Sequence, residues 1–424
     1  MQATGTIDRS GRTIDPDRLF RRITELSRLT ESDRPWTRRS FSSLFLQGRA
    51  WLAREFEAAG LSVSIDAGGN LIGRCPGRDL TLAPIVTGSH SDTVPGGGRF
   101  DGILGVLAGI EVAQALRENG HSLAHTFEVI DFLAEEPSEY GPSCIGSRAF
   151  AGQLEPTMLK AAAPDGENLE QGLTRVGGAP DQLATARRGG TAAFVELHIE
   201  QGPVLESRHL PIGVVTNIVG IRRVRIVVDG RPDHAGTTPM DIRRDALAGA
   251  AHIVAAANAM ARDAMGGPNY VVATVGRLNV YPNAANAVPG RVEMTLEVRS
   301  DAEAVLHRFP EDLLSASKGM TAKLGVTVAM EQISYSQPTA CAPFIQETIE
   351  DASGALGLRS MRLSSGAGHD GVYVAKTGPI GMIFIPCRDG RSHCAEEWAE
   401  LAQVADGARV LYETILRLDR RLAR

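Results

Sequence analysis

The sequence is poor in three features that often reveal a protein's class: cysteine, long apolar runs and clustered positive charge. Its five cysteines are odd in number and scattered without CxxC spacing, which favours a reduced cytoplasmic compartment over a disulfide framework. No stretch approaches the roughly 18 uninterrupted apolar residues of a membrane-spanning helix, so no membrane span is expected. The net charge of −6, with no basic patch, argues against nucleic acid and anionic membranes as partners.

Residues 1–20 contain neither an apolar core nor a small-residue cleavage site, so no secretory signal is expected. The composition that remains, 43% hydrophobic and 22% charged residues, is typical of a soluble globular protein. At 424 residues the chain is long enough for about two or three domains.

Both ends of the sequence alternate strand-like and helix-like segments. Residues 17–60 are predicted to be helical, and residues 103–116 form a further predicted helix. Apolar runs that lead to His90, Glu136 and His198 are typical of strands. This is an α/β pattern, in which functional residues collect at the C-terminal ends of the strands.

The middle of the chain has a different order: strand, helix, two strands, helix and a final strand, over residues 220–230, 240–265, 270–280, 292–300, 302–324 and 326–334 in turn. That order is the one found in ferredoxin-like split βαβ domains, whose ends lie close together. We therefore predict an α/β protein with a discontinuous domain, residues 1–212 and 332–424, built on a mixed sheet flanked by helices. An inserted ferredoxin-like domain, residues 213–331, interrupts it.

The most informative segment is VTGSHSDTVPGGGRFDGILGV, residues 86–106. His90 and Asp92 follow an apolar run and share one face if the strand continues. A glycine-rich turn leads to Asp101, which precedes an apolar segment with a helical pattern. A histidine and two carboxylates at a strand end and a helix start indicate a site for a divalent metal, although a simple strand-to-helix turn with polar residues has the same pattern.

Further candidates for metal ligands follow other strands. The pair Glu135 and Glu136 ends an apolar run, and adjacent residues of a strand point to opposite sides, so one can bind metal while the other faces a water molecule. Five histidines have polar, glycine-flanked settings: His90, His198, His234, His369 and His393. Imidazoles with a bridging, a terminal and a free carboxylate are what a dinuclear hydrolytic site needs. Cys394 is either a further ligand or a small packed thiol.

Seven segments, in order over nearly the whole chain, resemble the zinc-dependent amidohydrolases of the aminoacylase/carboxypeptidase superfamily: GSHSDTVPGGGRFDGILGV, AEE, ELHIEQGPVLE, DHAGTTPM, NAANAVPG, GAGHDG and SH at 392–393. The branch with N-carbamoyl-L-amino-acid hydrolases, β-ureidopropionases and allantoate amidohydrolases is the most similar. HIEQG, in place of the acidic ligand of the superfamily's peptidases, is specific to that branch.

The resemblance implies a site for two divalent metal ions. His90 and His198 would bind one ion, Glu136 and His393 the other, and Asp101 would bridge them. Zinc is favoured by the histidine-rich ligand set, but such sites also accept manganese, cobalt or nickel.

The resemblance also assigns roles around the ions. Glu135 would be the general base, and Asp92 would orient His90 as an outer partner. Five residues match positions that hold the substrate in this branch: Gln201, His234, Asn286, Arg299 and His369. His234 would also stabilise the oxyanion. Arg299 would bind an α-carboxylate through two parallel hydrogen bonds. A surface ion pair at the end of a strand is an equally open interpretation of this arginine.

His234 and Asn286 match residues of a lid domain that reach the partner subunit's active site in this branch. The resemblance therefore implies a homodimer formed through the inserted domain, with hinge motion between the domains. One departure concerns the pocket: where many members have EEGSRF, this chain has EEPSEYGPSCIGSRAF, and only Gly146–Arg148 repeat the Gly-Ser-Arg triplet. A loop of different length or setting leaves the choice of substrate open.

Three functions remain in competition. The first is metal-dependent hydrolysis of an N-carbamoyl-L-amino acid or related ureido acid to the amino acid, ammonia and carbon dioxide. The second is amide hydrolysis of an N-acyl amino acid or dipeptide, which uses the same ligands. The third is a non-enzymatic small-molecule binding protein, which would have no use for Glu135.

Overall fold

The computed structural model describes residues 14–423 and divides the chain into two compact units. The first unit runs through Thr216 and resumes over Ala340–Leu363 and from Gly368 onward. The second comprises Asn217–Thr339 and Ser364–Ala367. The inserted domain was predicted to span residues 213–331. The second unit starts later, at Asn217, and extends further, because its last strand continues to Ser336.

Eleven helices of the described chain belong to the first unit: α1 Pro16–Ser27, α2 Ser43–Ala59, α3 Ile103–Glu118, α4 Ile145–Phe150, α5 Pro156–Leu159, α6 Leu169–Arg175, α7 Leu183–Ala186, α8 Val204–Ser207, α11 Pro343–Ala355, α12 Gly371–Val374 and α13 Leu401–Leu422. Nine strands form its sheet: β1 Ser62–Ile65, β2 Leu71–Cys75, β3 Ile85–His90, β4 Phe127–Phe132, β5 Ala193–Ile199, β6 Ile212–Ile218, β13 Thr339–Ala340, β14 Ser360–Ser365 and β15 Ile380–Ile385.

The strand order of this sheet is β1-β2-β4-β3-β5-β15-β6-β13, with β14 paired to β6. The four central strands β4, β3, β5 and β15 are mutually parallel, whereas β1, β2 and β6 join antiparallel. Every residue of those four strands is buried, which is expected when helices cover both faces of a parallel sheet. Among the covering helices, α3 buries most of its length. The predicted mixed α/β sheet is confirmed.

The region 17–60 is less helical than its sequence predicts. Two helices occupy it, and residues 28–42 between them are not helical. Pro35 lies in that gap and lacks the amide hydrogen that a continuing helix needs. The second helix is capped at its start by Ser42, whose side chain accepts a hydrogen bond from the amide of Phe45, and at its end by Gly60 with φ 91°.

The second unit contains β7 Gly220–Asp229, β8 Asp233–His234, α9 Ala246–Asp263, β9 Val271–Tyr281, β10 Ala287–Val288, β11 Arg291–Ser300, α10 Glu303–Lys323 and β12 Thr327–Ser336. Its four-stranded sheet has the order β12-β7-β11-β9, and all neighbours are antiparallel. In chain order these strands are β7, β9, β11 and β12, and a helix follows the first and the third of them. This is the ferredoxin-like arrangement. The alternating burial of β7 and β11 leaves one sheet face against its own core.

The helix predicted from residue 240 begins later, at Ala246. Asp245 caps it by accepting hydrogen bonds from the amides of Leu247 and Ala248. Among residues 14–423 no helix has the length and apolarity that crossing a membrane would require.

Candidate metal centre

Parallel strands bring the predicted ligands of the first unit to one edge of its sheet. His90 is the last residue of β3, His198 lies near the end of β5, and Glu135 and Glu136 follow the end of β4. Because the carboxyl ends of parallel neighbours meet at the same edge, residues far apart in the sequence become neighbours there.

The carboxylate of Asp101 lies between two groups of ligands. Its Oδ1 is 3.2 Å from Nε2 of His198 and 4.0 Å from Nε2 of His90. Its Oδ2 is 2.9 Å from Nε2 of His393, which is also 3.1 Å from Oε1 of Glu136. The two groups His90–Asp101–His198 and Asp101–Glu136–His393 each hold donor atoms close enough for one ion, and they share Asp101.

The two buried histidines have a fixed arrangement of ring nitrogens. Nδ1 of His90 is 3.0 Å from the carbonyl of Asp92, and Nδ1 of His198 is 2.8 Å from the carbonyl of Ile199. A carbonyl oxygen only accepts hydrogen bonds, so Nδ1 carries the proton in each ring. When the ring is neutral, the lone pair is on Nε2 at the Asp101 side, as in histidines that bind a metal.

The turn between β3 and α3 needs glycine at a defined point. Gly102 has φ +67°, and a Cβ on it would lie 2.3 Å from Nε2 of His90. Its amide also donates a hydrogen bond of 3.1 Å to Nε2 of His198. The chain can therefore present Asp101 to both histidines only because residue 102 has no side chain.

The charges of this cluster are strongly coupled. Burial would raise the pKa of Asp101, but hydrogen bonds with His198 and His393 outweigh burial and hold that pKa well below its usual range. Contacts with Asp101 and Glu136 raise the pKa of His393 to about 11. For His198, burial lowers the pKa, but Asp101 outweighs burial and raises it to about 9. Positive charge is thus favoured at this position.

Glu135 lies beside the cluster, with Oε2 at 3.8 Å from Nε2 of His90. Burial raises its pKa well above the usual range, and the nearby carboxylates of Glu136 and Asp370 add to the effect. The thiol of Cys144 lies 3.6 Å from Oε1 of Glu135, so the loop that departs from the family pattern packs directly on this carboxylate.

Asp92 contacts more than the His90 ring, and its carboxylate is not the group closest to that ring. Its main-chain carbonyl, rather than its carboxylate, makes the close contact with the His90 ring, and the carboxylate Oδ1 is 3.6 Å from Nδ1. The carboxylate accepts hydrogen bonds of 3.4 and 3.3 Å from the amides of Glu135 and Glu136. Asp92 therefore orients the acidic pair as well as His90.

Two other predicted residues of the first unit lie near the cluster. His369 is buried, with its ring centroid 4.7 Å from that of His198. Gln201 has φ 56°, and its Nε2 lies 3.3 Å from Oγ of Ser392. Its buried Oε1 has no hydrogen-bond partner within the described residues, which leaves an acceptor for another molecule.

The remaining predicted residues belong to the second unit. Ala287 of β10 pairs with His234 of β8, so Asn286 and His234 are neighbours. Nδ1 of His234 accepts hydrogen bonds of 3.0 and 3.2 Å from the amides of Gly236 and Thr237, so its exposed ring has a donor at Nε2 when neutral.

Arg299, on β11, makes an ion pair within the second unit. Its Nε donates to Oε1 of Glu297 at 2.7 Å, and Nη1 donates to the carbonyl of Gly366 at 2.7 Å. Glu297 also accepts from Nε of Arg223 at 2.5 Å. The guanidinium is therefore held from one side by two acceptors.

Sequence reasoning missed Glu397 and Cys144. The Glu397 carboxylate is fully buried and accepts hydrogen bonds from the amides of Phe100 and Asp101 at 2.7 and 3.1 Å. A usable signal existed, because Glu396 and Glu397 form an acidic pair close behind His393, as Glu135 and Glu136 do behind β4. Cys394 belongs to none of the ligand groups found among the described residues.

The donor set fits divalent cations. Zinc and related ions bind to imidazole nitrogens and carboxylate oxygens. The cluster offers two imidazole nitrogens, one shared carboxylate, and a second pair made of a carboxylate and an imidazole. Several carboxylates packed together in a buried place repel one another unless positive charge compensates them.

A discontinuous α/β unit with this shared-carboxylate cluster at the carboxyl edge of its sheet defines a metal-dependent hydrolase. The chain belongs to the peptidase family M20/M25/M40, whose model matches residues 86–417.

Known relatives in this family cover almost the whole chain. N-carbamoyl-L-amino-acid amidohydrolase of Paenarthrobacter aurescens is 40% identical over 408 residues, which are 95% of this chain and 98% of that protein. Allantoate amidohydrolase of Bacillus subtilis (strain 168) is 30% identical over 383 residues, 90% of this chain and 92% of that protein. The solved structure of an amidase of the hydantoinase/carbamoylase family from Burkholderia multivorans is 37% identical, with a TM-score of 0.89 over 96% of this chain and 98% of that chain. The predicted branch of the superfamily is confirmed.

Proposed function

We propose that the protein hydrolyses the carbamoyl C–N bond of N-carbamoyl-L-amino acids, releasing the amino acid, ammonia and carbon dioxide. The observation that carries this proposal is the Asp101 carboxylate shared between two ligand groups, with the buried Glu135 beside it. The relatives named for carbamoyl and ureido substrates, similar over nearly the full length, support that substrate class.

The proposed cofactors are two divalent metal ions, with zinc first and manganese, cobalt or nickel as alternatives. His90, His198 and Asp101 would hold one ion, and Glu136, His393 and Asp101 the other. When bound, such ions polarise a carbonyl group and make a water molecule more acidic.

Glu135 is the proposed general base. Burial raises the pKa of Glu135, which strengthens it as the acceptor of a proton from water that it would return to the leaving nitrogen. Asp92 holds the Glu135 main chain through the amide hydrogen bond, and the Cys144 thiol contacts the Glu135 carboxylate at 3.6 Å.

The proposed substrate-binding residues are those that the family resemblance implies. Gln201 offers the unpartnered Oε1 to the ureido N–H groups, and His369 lines the buried side of the cluster. His234 would donate from Nε2 to the developing oxyanion, with Asn286 beside it. Arg299, oriented by Glu297, would bind the α-carboxylate.

The proposed assembly is a homodimer formed through the second unit, which would act as a lid. Strand β9 lies at the edge of its sheet, and three of its large apolar or aromatic side chains are exposed: Val272, Leu278 and Tyr281. An 11-residue edge strand of this kind offers unpaired backbone groups to a second copy. A cytoplasmic location is proposed as well, in keeping with five free cysteines.

The deciding experiment is a substrate panel on protein reconstituted with zinc, manganese, cobalt or nickel. Ammonia release is measured with N-carbamoyl-L-amino acids, their D-enantiomers and allantoate, and amino-acid release is measured with N-formyl and N-acetyl amino acids and with dipeptides. We expect the highest kcat/KM for N-carbamoyl-L-amino acids. Turnover of acyl or peptidyl substrates alone would replace the proposal by amide hydrolysis, and turnover of none would favour a binding protein.

A further inference from the structure

Glu397 lies at the junction of the two loops that carry Asp101 and His393. Its side chain is completely buried, although no sequence motif marks it as a ligand. Oε1 accepts hydrogen bonds from the amides of Phe100 and Asp101 at 2.7 and 3.1 Å. Oε2 accepts from Oγ of Ser392 at 2.7 Å.

One carboxylate therefore joins segments almost 300 residues apart in the sequence. Ser392 immediately precedes His393, and its Oγ is 3.5 Å from Oδ2 of Asp101. The fit is close on the loop side too, because a Cβ on Gly98 would lie 1.8 Å from Oε1 of Glu397. The glycine-rich turn before Asp101 is thus shaped around the Glu397 carboxylate.

This arrangement has a consequence for metal binding. Asp101 and His393 meet through Oδ2 and Nε2, and both belong to the ligand group that also contains Glu136. His90 and His198 are instead oriented by the main-chain carbonyls of Asp92 and Ile199. A change at Glu397 would accordingly loosen both Asp101 and His393 in one ligand group, but in the other group only the shared Asp101, whose partner histidines stay in place.

We propose that Glu397 is a positioning residue for the Asp101–Glu136–His393 group: by binding the Asp101 main chain and Ser392 together, it sets the affinity of the metal ion held by that group more than the affinity of the other ion. This inference rests on the two-ion site of the proposed function. Partners that orient metal ligands typically change metal affinity by about 10–100-fold when they are replaced.

The test is a metal titration of Glu397→Gln and Glu397→Ala against wild type, with zinc binding measured by calorimetry and by competition with a chelator. Wild type should bind two ions. In Glu397→Ala one ion should bind about 10–100-fold more weakly, and the other should be weakened less, because it shares Asp101 but keeps its two histidines. Glu397→Gln keeps the side-chain size and one acceptor oxygen, so its loss should be smaller.

Glu396→Gln is the matched control, because Glu396 is the neighbouring residue but is exposed and pairs with Arg391 on the surface. It should bind both ions like wild type. Far-UV circular dichroism and melting of the metal-free proteins separate folding from binding. If the Glu397 variants do not fold, Ser392→Ala tests the same link, and it should also weaken one ion.

The outcomes separate the two hypotheses. Wild type that binds fewer than two ions would contradict the proposed two-ion site itself. If wild type binds two ions and the folded Glu397 or Ser392 variants bind both ions with wild-type affinity, the positioning role alone is overturned. Equal weakening of both ions would also overturn it.

Discussion

At the scale of single residues, Glu135 has the position and the contacts that a general base requires. Its carboxylate is 3.8 Å from Nε2 of His90, and burial raises its pKa. A base of this kind contributes on the order of 10²–10⁴-fold to rate.

Glu135→Gln should therefore lower kcat by about 10²–10⁴-fold while leaving two metal ions bound, because glutamine keeps the size but cannot accept the proton. The measurement is kcat by ammonia release, with metal content by mass spectrometry. Glu139→Gln is the control, since Glu139 lies in the same loop but pairs with Arg39 on the surface. Normal turnover in Glu135→Gln would exclude the role.

Asp101 is predicted to differ from His393 in the number of ions it controls. Both of its carboxylate oxygens face ligands, whereas His393 contacts only Asp101 and Glu136 within the cluster. Asp101→Ala should lose both ions, and His393→Ala should lose one. Metal stoichiometry after dialysis distinguishes these results, and loss of the same number in both variants would contradict the shared carboxylate.

The residue scale also shows what a sequence can and cannot predict about a site. The candidate ligands could be proposed from the sequence, because some of them are histidines and carboxylates that end apolar runs and all of them match motifs of the family. The acidic pair Glu396 and Glu397 is visible in the sequence, but the role of Glu397 is not, because a hydrogen bond between segments almost 300 residues apart leaves no local pattern.

At the scale of elements, the turn from β3 into α3 depends on Gly102. Alanine there would meet a positive φ of 67° and would place Cβ 2.3 Å from the His90 ring. Gly120, after the same helix, has a similar φ of 70° but open space around it. A comparison of alanine at the two positions therefore separates the effect of backbone strain from the effect of contact with the His90 ring.

Gly120→Ala should cost about 1–2 kcal/mol of stability because of its positive φ, and Gly102→Ala should cost at least as much, because its Cβ also meets the His90 ring. Only Gly102→Ala should also weaken metal binding, because His90 has to move. Urea unfolding of metal-free protein and a metal titration measure the two effects. Unchanged metal affinity in Gly102→Ala would show that the ring has room to adjust.

Helix α6 is tied to the loop after Glu136 by a pH-dependent contact. Glu167 accepts hydrogen bonds from Arg175 at 2.6 and 2.8 Å and from the hydroxyl of Tyr140. These partners lower the pKa of Glu167 from 4.5 to about 2. A lowered pKa in the folded state gives stability that is complete above the unfolded value and is lost as the pH falls through the folded value.

Glu167→Gln should therefore be less stable than wild type at pH 7, and the difference should shrink as the pH falls from 4.5 toward 2. Urea midpoints at pH 7 and pH 4 measure the change. Glu170→Gln, on the exposed first turn of the same helix, should show no such trend. A difference that grows in acid would reverse the sign and contradict the assignment.

At the scale of the whole molecule, the second unit has its own core and closely spaced ends. Its sheet packs on a cluster that includes Val224, Leu296 and Leu313. Ile221, at the start of β7, pairs with Ser336, at the end of β12, so the unit begins and ends side by side. An inserted segment with adjacent ends can fold independently of its host.

The isolated segment 217–339 should accordingly fold with a cooperative thermal transition. A segment that stops at residue 331 is the control, since it removes the part of β12 that pairs with the beginning of β7. Circular dichroism and light scattering after gel filtration measure folding and association together. An unfolded 217–339 segment would contradict the independence of the unit, and a folded monomer would contradict dimerisation through it.

The sequence by itself determined the fold class, the ferredoxin-like order of the second unit and the residue types of the metal centre. It could do so because hydrophobic periodicity and ligand chemistry are local properties of the chain. The tertiary structure decided which groups share Asp101, why residue 102 is glycine, and that Glu397 joins two distant loops. Those features arise only when parallel strands end at a common edge and bring separate loops within hydrogen-bond distance.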